Sequence, residues 1–330
     1  MTSVLDVDAP MPALPRATPA EYGVDPASLA DLSGRLAADD LGVDSLMVLR
    51  NGAVLFEQWW HEQSPSRAHE MFSVTKSFTS TAVGMACDEG LLCVDEPVLA
   101  FFPTYASASV RENVGAMSLR HLLTMSSGHG SELWPTMKDS PDEDWVRMFL
   151  ETPLELAPGA GFRYSSANSH LLSAALANRT GRTMAEFLAP RLFEPLGIAP
   201  PRWDTDSRGI PEGGRGMWLR TADLAALGQL YLDGGRWGDR RLISEDWVEQ
   251  ATGVRIETDL PGEWAQGYGF QFWRGLAGTF RADGAYGQFA VVQPSRGIIV
   301  AVTASSKCTD GILAAIRGFL EPDDESDHPA

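Results

Sequence analysis

Met71-Phe72-Ser73-Val74-Thr75-Lys76-Ser77-Phe78-Thr79-Ser80 is the stretch around which the rest of the chain is organised. A helix beginning near Ser73, as the run from Phe78 to Met85 predicts, puts the Ser73 hydroxyl and the Lys76 amine on one face about a turn apart. A serine hydroxyl does not ionise near neutral pH unless a neighbour accepts its proton. Lysine becomes such a neighbour when burial or a second cation lowers its pKa. The partial positive charge of a helix N-terminus favours a developing oxyanion. The same spacing also describes a plain polar stripe. With 26 serines and three lysines (Lys76, Lys138 and Lys307) in 330 positions, about a quarter of one match arises by chance. The pair gains meaning only from partners elsewhere.

Length and composition narrow the field. At 330 residues and 44% hydrophobic, the chain can bury a large core as one domain or two intimate subdomains. A formal charge of −18 argues against nucleic acid or an anionic membrane as partner, since both require basic patches. No stretch reaches the roughly 18 apolar residues of a membrane span, and the first 20 residues lack the basic and apolar regions of a leader. Cys87, Cys93 and Cys308 form no paired pattern, so reduced thiols and a cytoplasmic location are expected. The six histidines show no metal-binding spacing, and neither metal nor cofactor is expected.

Along the chain, residues 1–24 read as a Pro-rich arm and 321–330 as an acidic, disordered tail. Asp25-Pro26 caps a helix to about Ala38. Ser45 to Arg50 and Ala53 to Trp60, joined by Asn51-Gly52, form a hairpin. Helices follow at Ser73 to Glu89, near Arg120 to Met125, Asp142 to Leu150, Ser169 to Arg179, Met184 to Leu192, Thr221 to Tyr231 and Ser244 to Ala251, with Thr221 and Ser244 as caps of the last two. Strands return at Tyr268 to Trp273, Gly278 to Ala282, Gly287 to Gln293 and Gly297 to Thr303, before a closing helix at Ile312 to Leu320. Strands at both ends with helices between imply an α/β (α+β) architecture. One antiparallel sheet is built from both termini (25–72 and 265–320), with a mainly helical region (73–264) inserted.

Three pieces line up in order: Ser73-Val74-Thr75-Lys76, Tyr164-Ser165-Ser166, and Ala282-Asp283-Gly284 on a strand before Gly287-Gln288. The order resembles the penicillin-binding serine hydrolases: class C β-lactamases, DD-peptidases, and related esterases and 6-aminohexanoate-dimer hydrolases. Arg120 to Gly128, Pro158-Gly159 and Gly216 to Leu224 resemble the same family. Gly216 to Leu224, with Gly228 to Leu232, is most similar to the aminohexanoate-dimer hydrolase and esterase branch.

The resemblance implies that Ser73 is the acylated nucleophile, with Lys76 and Tyr164 sharing its proton. It places the oxyanion hole at the backbone N–H groups of Ser73 and Ala285. Ser166 is expected to hydrogen-bond Lys76 or the substrate, and Gly284 to let the acyl carbonyl approach the backbone. A nearby ammonium would lower the Tyr164 pKa. Trp134, on a loop, is the expected cleft wall. One departure stands out: Ala282-Asp283-Gly284 replaces the Lys-Thr-Gly of β-lactamases. Asp283 would repel a substrate carboxylate if it faces the cleft, and strand alternation turns Arg281 away from Phe280 and Ala282.

The expected activity is cleavage of a small-molecule ester or amide through an acyl-enzyme. A β-lactamase or D-amino-acid peptidase is the alternative within enzymes, and a non-catalytic binding or assembly protein of the same fold is the alternative outside them. The sequence is compatible with a homo-oligomer and does not show one.

Overall fold

A computed structural model describes residues 4–38, 40–140 and 143–321. Six antiparallel strands form the central sheet, in the order Ala53–Trp59, Val43–Arg50, Ile298–Ala304, Gln288–Gln293, Phe280–Gly284 and Trp273–Arg274. The sheet is therefore assembled from both ends of the chain. Its first hairpin turns at Asn51 and Gly52, both with positive φ (47° and 85°), which suits the right-handed twist of the paired strands.

Period-two alternation gives the sheet two apolar faces. Leu46, Val48, Val291 and Val300 meet helices Pro26–Leu36 and Thr309–Leu320 through Leu29, Leu32, Ile312 and Ile316. Met47, Leu49, Val292 and Ile299 face the larger core, which contains helices Thr75–Asp88 and Thr221–Leu232 and the helical region. A fully buried leucine in either layer contributes about 1.5–3 kcal/mol.

Several element boundaries differ from expectation for identifiable reasons. The helix after Ser73 begins at Thr75, and Ser73 lies in a 3₁₀ turn over Phe72–Val74. Thr221 is the first helical residue and not the cap: Asp223 accepts from the Arg220 N–H at 2.9 Å, while the Thr221 hydroxyl meets Ser45 on the sheet at 2.6 Å. Ser244 caps its helix as expected, accepting from the Trp247 N–H at 3.1 Å. Helix Trp145–Glu151 starts behind Asp144, which accepts from the Arg147 N–H at 3.0 Å, and Pro141 and Asp142 lie outside the described residues. The strand expected over Tyr268 to Trp273 shortens to Trp273–Arg274, with Gln271 at φ 65° breaking it. The run from Met184 is helical to Leu188 and then passes through a wider turn at Ala189–Phe193, where Pro190 removes a backbone donor.

The N-terminal arm is attached to the body. Val4–Asp6 pairs with Arg67–Glu70, which in turn pairs with Trp218–Leu219. Buried Arg220 donates to the carbonyls of Ala9 and Pro10 at 2.9 Å each and to Asp223. Of the acidic tail, residues 322–330 lie outside the described residues. Cys87, Cys93 and Cys308 are free thiols, and among the described residues no helix is long and apolar enough to cross a membrane.

Candidate active site

The turn that carries Ser73 is held in an unusual backbone state. Phe72 has φ 44°, a left-handed conformation that a bulky residue adopts only when its surroundings impose it. The Met71 N–H is fixed to the Met217 carbonyl at 2.8 Å, and the Val74 N–H closes the turn on the Met71 carbonyl at 3.0 Å. Strand Phe280–Gly284 ends against this turn. A Cβ at Gly284 would lie 2.4 Å from the Met71 carbonyl oxygen and 3.2 Å from the Val74 nitrogen, so only glycine permits the approach. Sequence reading assigned Gly284 to the acyl carbonyl, whereas its missing side chain makes room for the protein's own backbone. Ala285 follows at the exposed end of the strand, and the next residue, Tyr286 (φ 66°), packs its ring 5.0 Å from that of Phe72.

Lys76 is 1% exposed, and its Nζ donates to three oxygens: Ser73 Oγ at 3.1 Å, Ser166 Oγ at 3.0 Å and the Gly214 carbonyl at 2.8 Å. Burial pulls its pKa down to about 7, Glu132 and Asp283 oppose that shift, and Arg215 adds to it. Near neutral pH the amine and the ammonium are therefore both populated.

Tyr164 is stacked on Trp273 with centroids 5.6 Å apart, and meets Tyr268 edge-on at 6.2 Å. Ser73 acts on its phenol oxygen, and Lys76 Nζ lies 4.7 Å from its ring centroid. Burial raises the phenol pKa well above its ordinary value, and the Ser73 hydrogen bond only partly offsets this. Desolvation, with the Asp283 and Glu132 charges adding to it, thus sets a direction opposite to the lowering expected from a neighbouring ammonium.

Glu132 was not singled out in the sequence. It accepts from the Ser166 N–H at 2.5 Å, the Ser165 hydroxyl at 3.0 Å, the Ala167 N–H at 3.4 Å and the Trp134 N–H at 2.9 Å. It caps helix Ser166–Thr180 from a separate loop and starts that helix three residues earlier than its own sequence suggests. Gly213 and Gly214 also went unnoticed. A Cβ on Gly213 would fall 2.1 Å from the Ser169 carbonyl, and one on Gly214 would fall 2.7 Å from Ser166 Cβ. The only advance sign was the adjacent glycine pair beside Gly216.

The structure brings together Ser73, Lys76, Tyr164 and Ser166, with Gly284 against their turn. Trp134 sits further out, at the start of a short helix (Trp134–Asp139) and not on a loop. Its indole N–H donates to Glu212 at 2.9 Å, and the Arg215 guanidinium lies 4.2 Å from its ring. Arg215 also reaches the Phe72 ring at 5.9 Å, which links Trp134 to the turn. Asp283 Oδ2 accepts from Arg281 Nε at 2.9 Å and Trp264 Nε1 at 3.1 Å. Burial raises the Asp283 pKa against the opposing effect of Arg281.

Residues 32–317 match the family described as Beta-lactamase. The chain belongs to the β-lactamase family. Members of this family with the serine β-lactamase fold are hydrolases, and the relatives agree with that class. The chain is 28% identical to the 6-aminohexanoate-dimer hydrolase of Paenarthrobacter ureafaciens over 335 residues, covering 93% of this chain and 81% of the relative. Among solved structures, a penicillin-binding protein homologue from Caulobacter crescentus superposes with a TM-score of 0.72 at 18% identity, covering 96% of this chain and 100% of the other. EstCE1, a hydrolase with promiscuous acyltransferase activity, superposes with a TM-score of 0.72 at 20% identity, covering 89% and 98%. These superpositions establish the β-lactamase fold of this family member. Its substrate is a separate question.

Proposed function

We propose that this protein cleaves an ester or amide bond through a covalent acyl-enzyme on Ser73. The observation that carries the proposal is the pairing of Ser73 Oγ with a buried Lys76 Nζ at 3.1 Å, the lysine pKa being drawn to about 7. A base titrating near the operating pH is both available and strong enough to take a hydroxyl proton.

The Lys76 amine accepts the Ser73 proton as Oγ bonds to the substrate carbonyl carbon. The oxyanion develops toward the backbone N–H groups of Ser73 and Ala285, a kind of contact worth about 2.7–4 kcal/mol of barrier per donor. Tyr164, beside Ser73 and Lys76, acts as a neutral phenol: it passes a proton to the leaving group and regains one from Lys76. Water then attacks the acyl carbon, giving a proton to the same pair, which returns one to Ser73 Oγ as its bond to the acyl carbon breaks. Ser166 and the Gly214 carbonyl hold Lys76 Nζ in register for both steps. The reaction needs no metal or cofactor, and the free thiols are in keeping with a cytoplasmic enzyme acting on a small molecule.

The relative named as a 6-aminohexanoate-dimer hydrolase supports an amide substrate, and EstCE1 leaves the ester reading open. The deciding experiment compares p-nitrophenyl butyrate, a linear aminohexanoate amide and nitrocefin, with Ser73→Ala as blank for each. Turnover of the ester or amide that vanishes in the blank is the expected result. Efficient turnover of nitrocefin would instead favour the β-lactamase reading. No serine-dependent turnover and no labelling of Ser73 by a fluorophosphonate would leave only a binding or assembly role.

A further inference from the structure

Arg281 and Asp283 alternate onto the same face of strand Phe280–Gly284, opposite Val291 and Phe289 on the neighbouring strand, and Gly284, the residue after Asp283, is packed against the Ser73 turn. Two donors converge on one oxygen of Asp283: Arg281 Nε at 2.9 Å and Trp264 Nε1 at 3.1 Å. The Arg281 guanidinium carbon lies 5.4 Å from the Trp264 ring centroid, so the indole both covers the cation and contributes its N–H. Arg281 retains 1% side-chain exposure and Asp283 13%, which makes the carboxylate the outward end of the pair. Arg281 Nη2 is buried with no hydrogen-bond partner, although buried guanidinium N–H groups are normally satisfied. The Asp283 charge reaches the catalytic group, where it raises the pKa of both Lys76 and Tyr164.

A guanidinium with a spare donor, an indole N–H and an apolar cover together constitute a carboxylate-binding clamp. In this protein the clamp already holds a carboxylate of its own. We propose that Asp283 is the specificity-determining residue of the cleft: by filling the Arg281–Trp264 clamp it restricts the enzyme to acyl groups without a carboxylate. An incoming anionic acyl group meets an occupied clamp and a fixed negative charge, whereas a neutral one meets neither obstacle. This inference rests on the acyl-enzyme reading, which identifies the space beside Ser73 as the acyl site.

The test pairs neutral esters with anionic ones of equal chain length: methyl pentanoate with monomethyl glutarate, and methyl hexanoate with monomethyl adipate, each followed by pH-stat. The wild type is expected to favour the neutral member of each pair by at least about a hundredfold in kcat/KM, and Asp283→Asn to reduce that ratio at least about tenfold. Asp283→Ala empties the clamp. Its thermal midpoint is expected to rise in sodium acetate relative to equal sodium chloride, while the wild type does not respond.

Equal kcat/KM on both members of a pair in the wild type, an unmoved ratio in Asp283→Asn, or a midpoint of Asp283→Ala that ignores acetate would each overturn the proposal. If the wild type hydrolyses neither ester above the Ser73→Ala blank and a fluorophosphonate does not label Ser73, the acyl-enzyme reading fails. The acetate response still decides the clamp.

Discussion

Lys76 Nζ and Ser73 Oγ lie 3.1 Å apart with the lysine almost wholly buried, so the residue that can deprotonate the serine is also one of the few lysines in a chain of arginines. An arginine there would remain charged at any working pH, whereas a buried lysine can lose its proton. Ser73→Ala is expected to abolish turnover and fluorophosphonate labelling while shifting the thermal midpoint by no more than about 5 °C. Residual activity near wild type would remove Ser73 from the mechanism.

The low Lys76 pKa carries a pH signature in both rate and stability. Activity is expected to rise with pH along a limb centred near 7. The folded pKa lies below the unfolded value of 10.5, so the unfolded chain binds more protons between about pH 7 and pH 10.5. Stability should therefore rise with pH through that window, relative to Lys76→Met, by on the order of a few kcal/mol. Denaturant titrations of both proteins at pH 7 and pH 9.5 would reveal it, and parallel stability curves would contradict it.

Glu132 raises the Lys76 pKa and caps helix Ser166–Thr180. Glu132→Gln removes the charge but retains a capping oxygen, so the acidic limb of the rate profile should move to lower pH with a stability loss of about 1 kcal/mol. A limb that stays in place would restrict Glu132 to a purely structural role.

Tyr164→Phe keeps the stack on Trp273 and deletes the hydroxyl that Ser73 acts on. A fall of about a hundredfold in kcat with nearly unchanged KM is the expected result. The raised phenol pKa further implies that the wild type shows no second rising limb below about pH 9, and such a limb would point to a phenolate base.

Gly284→Ala places a methyl 2.4 Å from the Met71 carbonyl oxygen. The strand must withdraw from the Ser73 turn, at a cost of about 1–3 kcal/mol. Activity should drop with it, because the turn and the Ala285 N–H move apart. Unchanged stability and rate, measured by thermal melts and ester hydrolysis, would show that the strand end has slack.

Much of this molecule was written in local pattern. The Asn51-Gly52 turn, the two-residue alternation of Leu46 to Leu49 and the caps at Asp25 and Ser244 depend on neighbours in the chain, and each can be read from the residues alone. The order of Ser73, Lys76, Tyr164 and Gly284 likewise disclosed the family, because the chemistry demands those residue types in sequence motifs.

Tertiary structure decided what long-range contacts and burial create. The Gly214 carbonyl that anchors Lys76 lies 138 residues away from it and no periodicity announces it, whereas the Ser166 contact, 90 residues away, was expected from the motif resemblance alone. Glu132 starts helix Ser166–Thr180 from another loop, which is why the sequence places its beginning three residues too late. The direction of the Tyr164 pKa differs from expectation because sequence shows the neighbouring lysine and not the desolvation that sets the shift. Motif and period determined which groups this protein possesses, whereas exclusion of water around Lys76 and the closing of Arg281 and Trp264 on Asp283 decided their charge and their reach, since both depend on how completely distant segments pack.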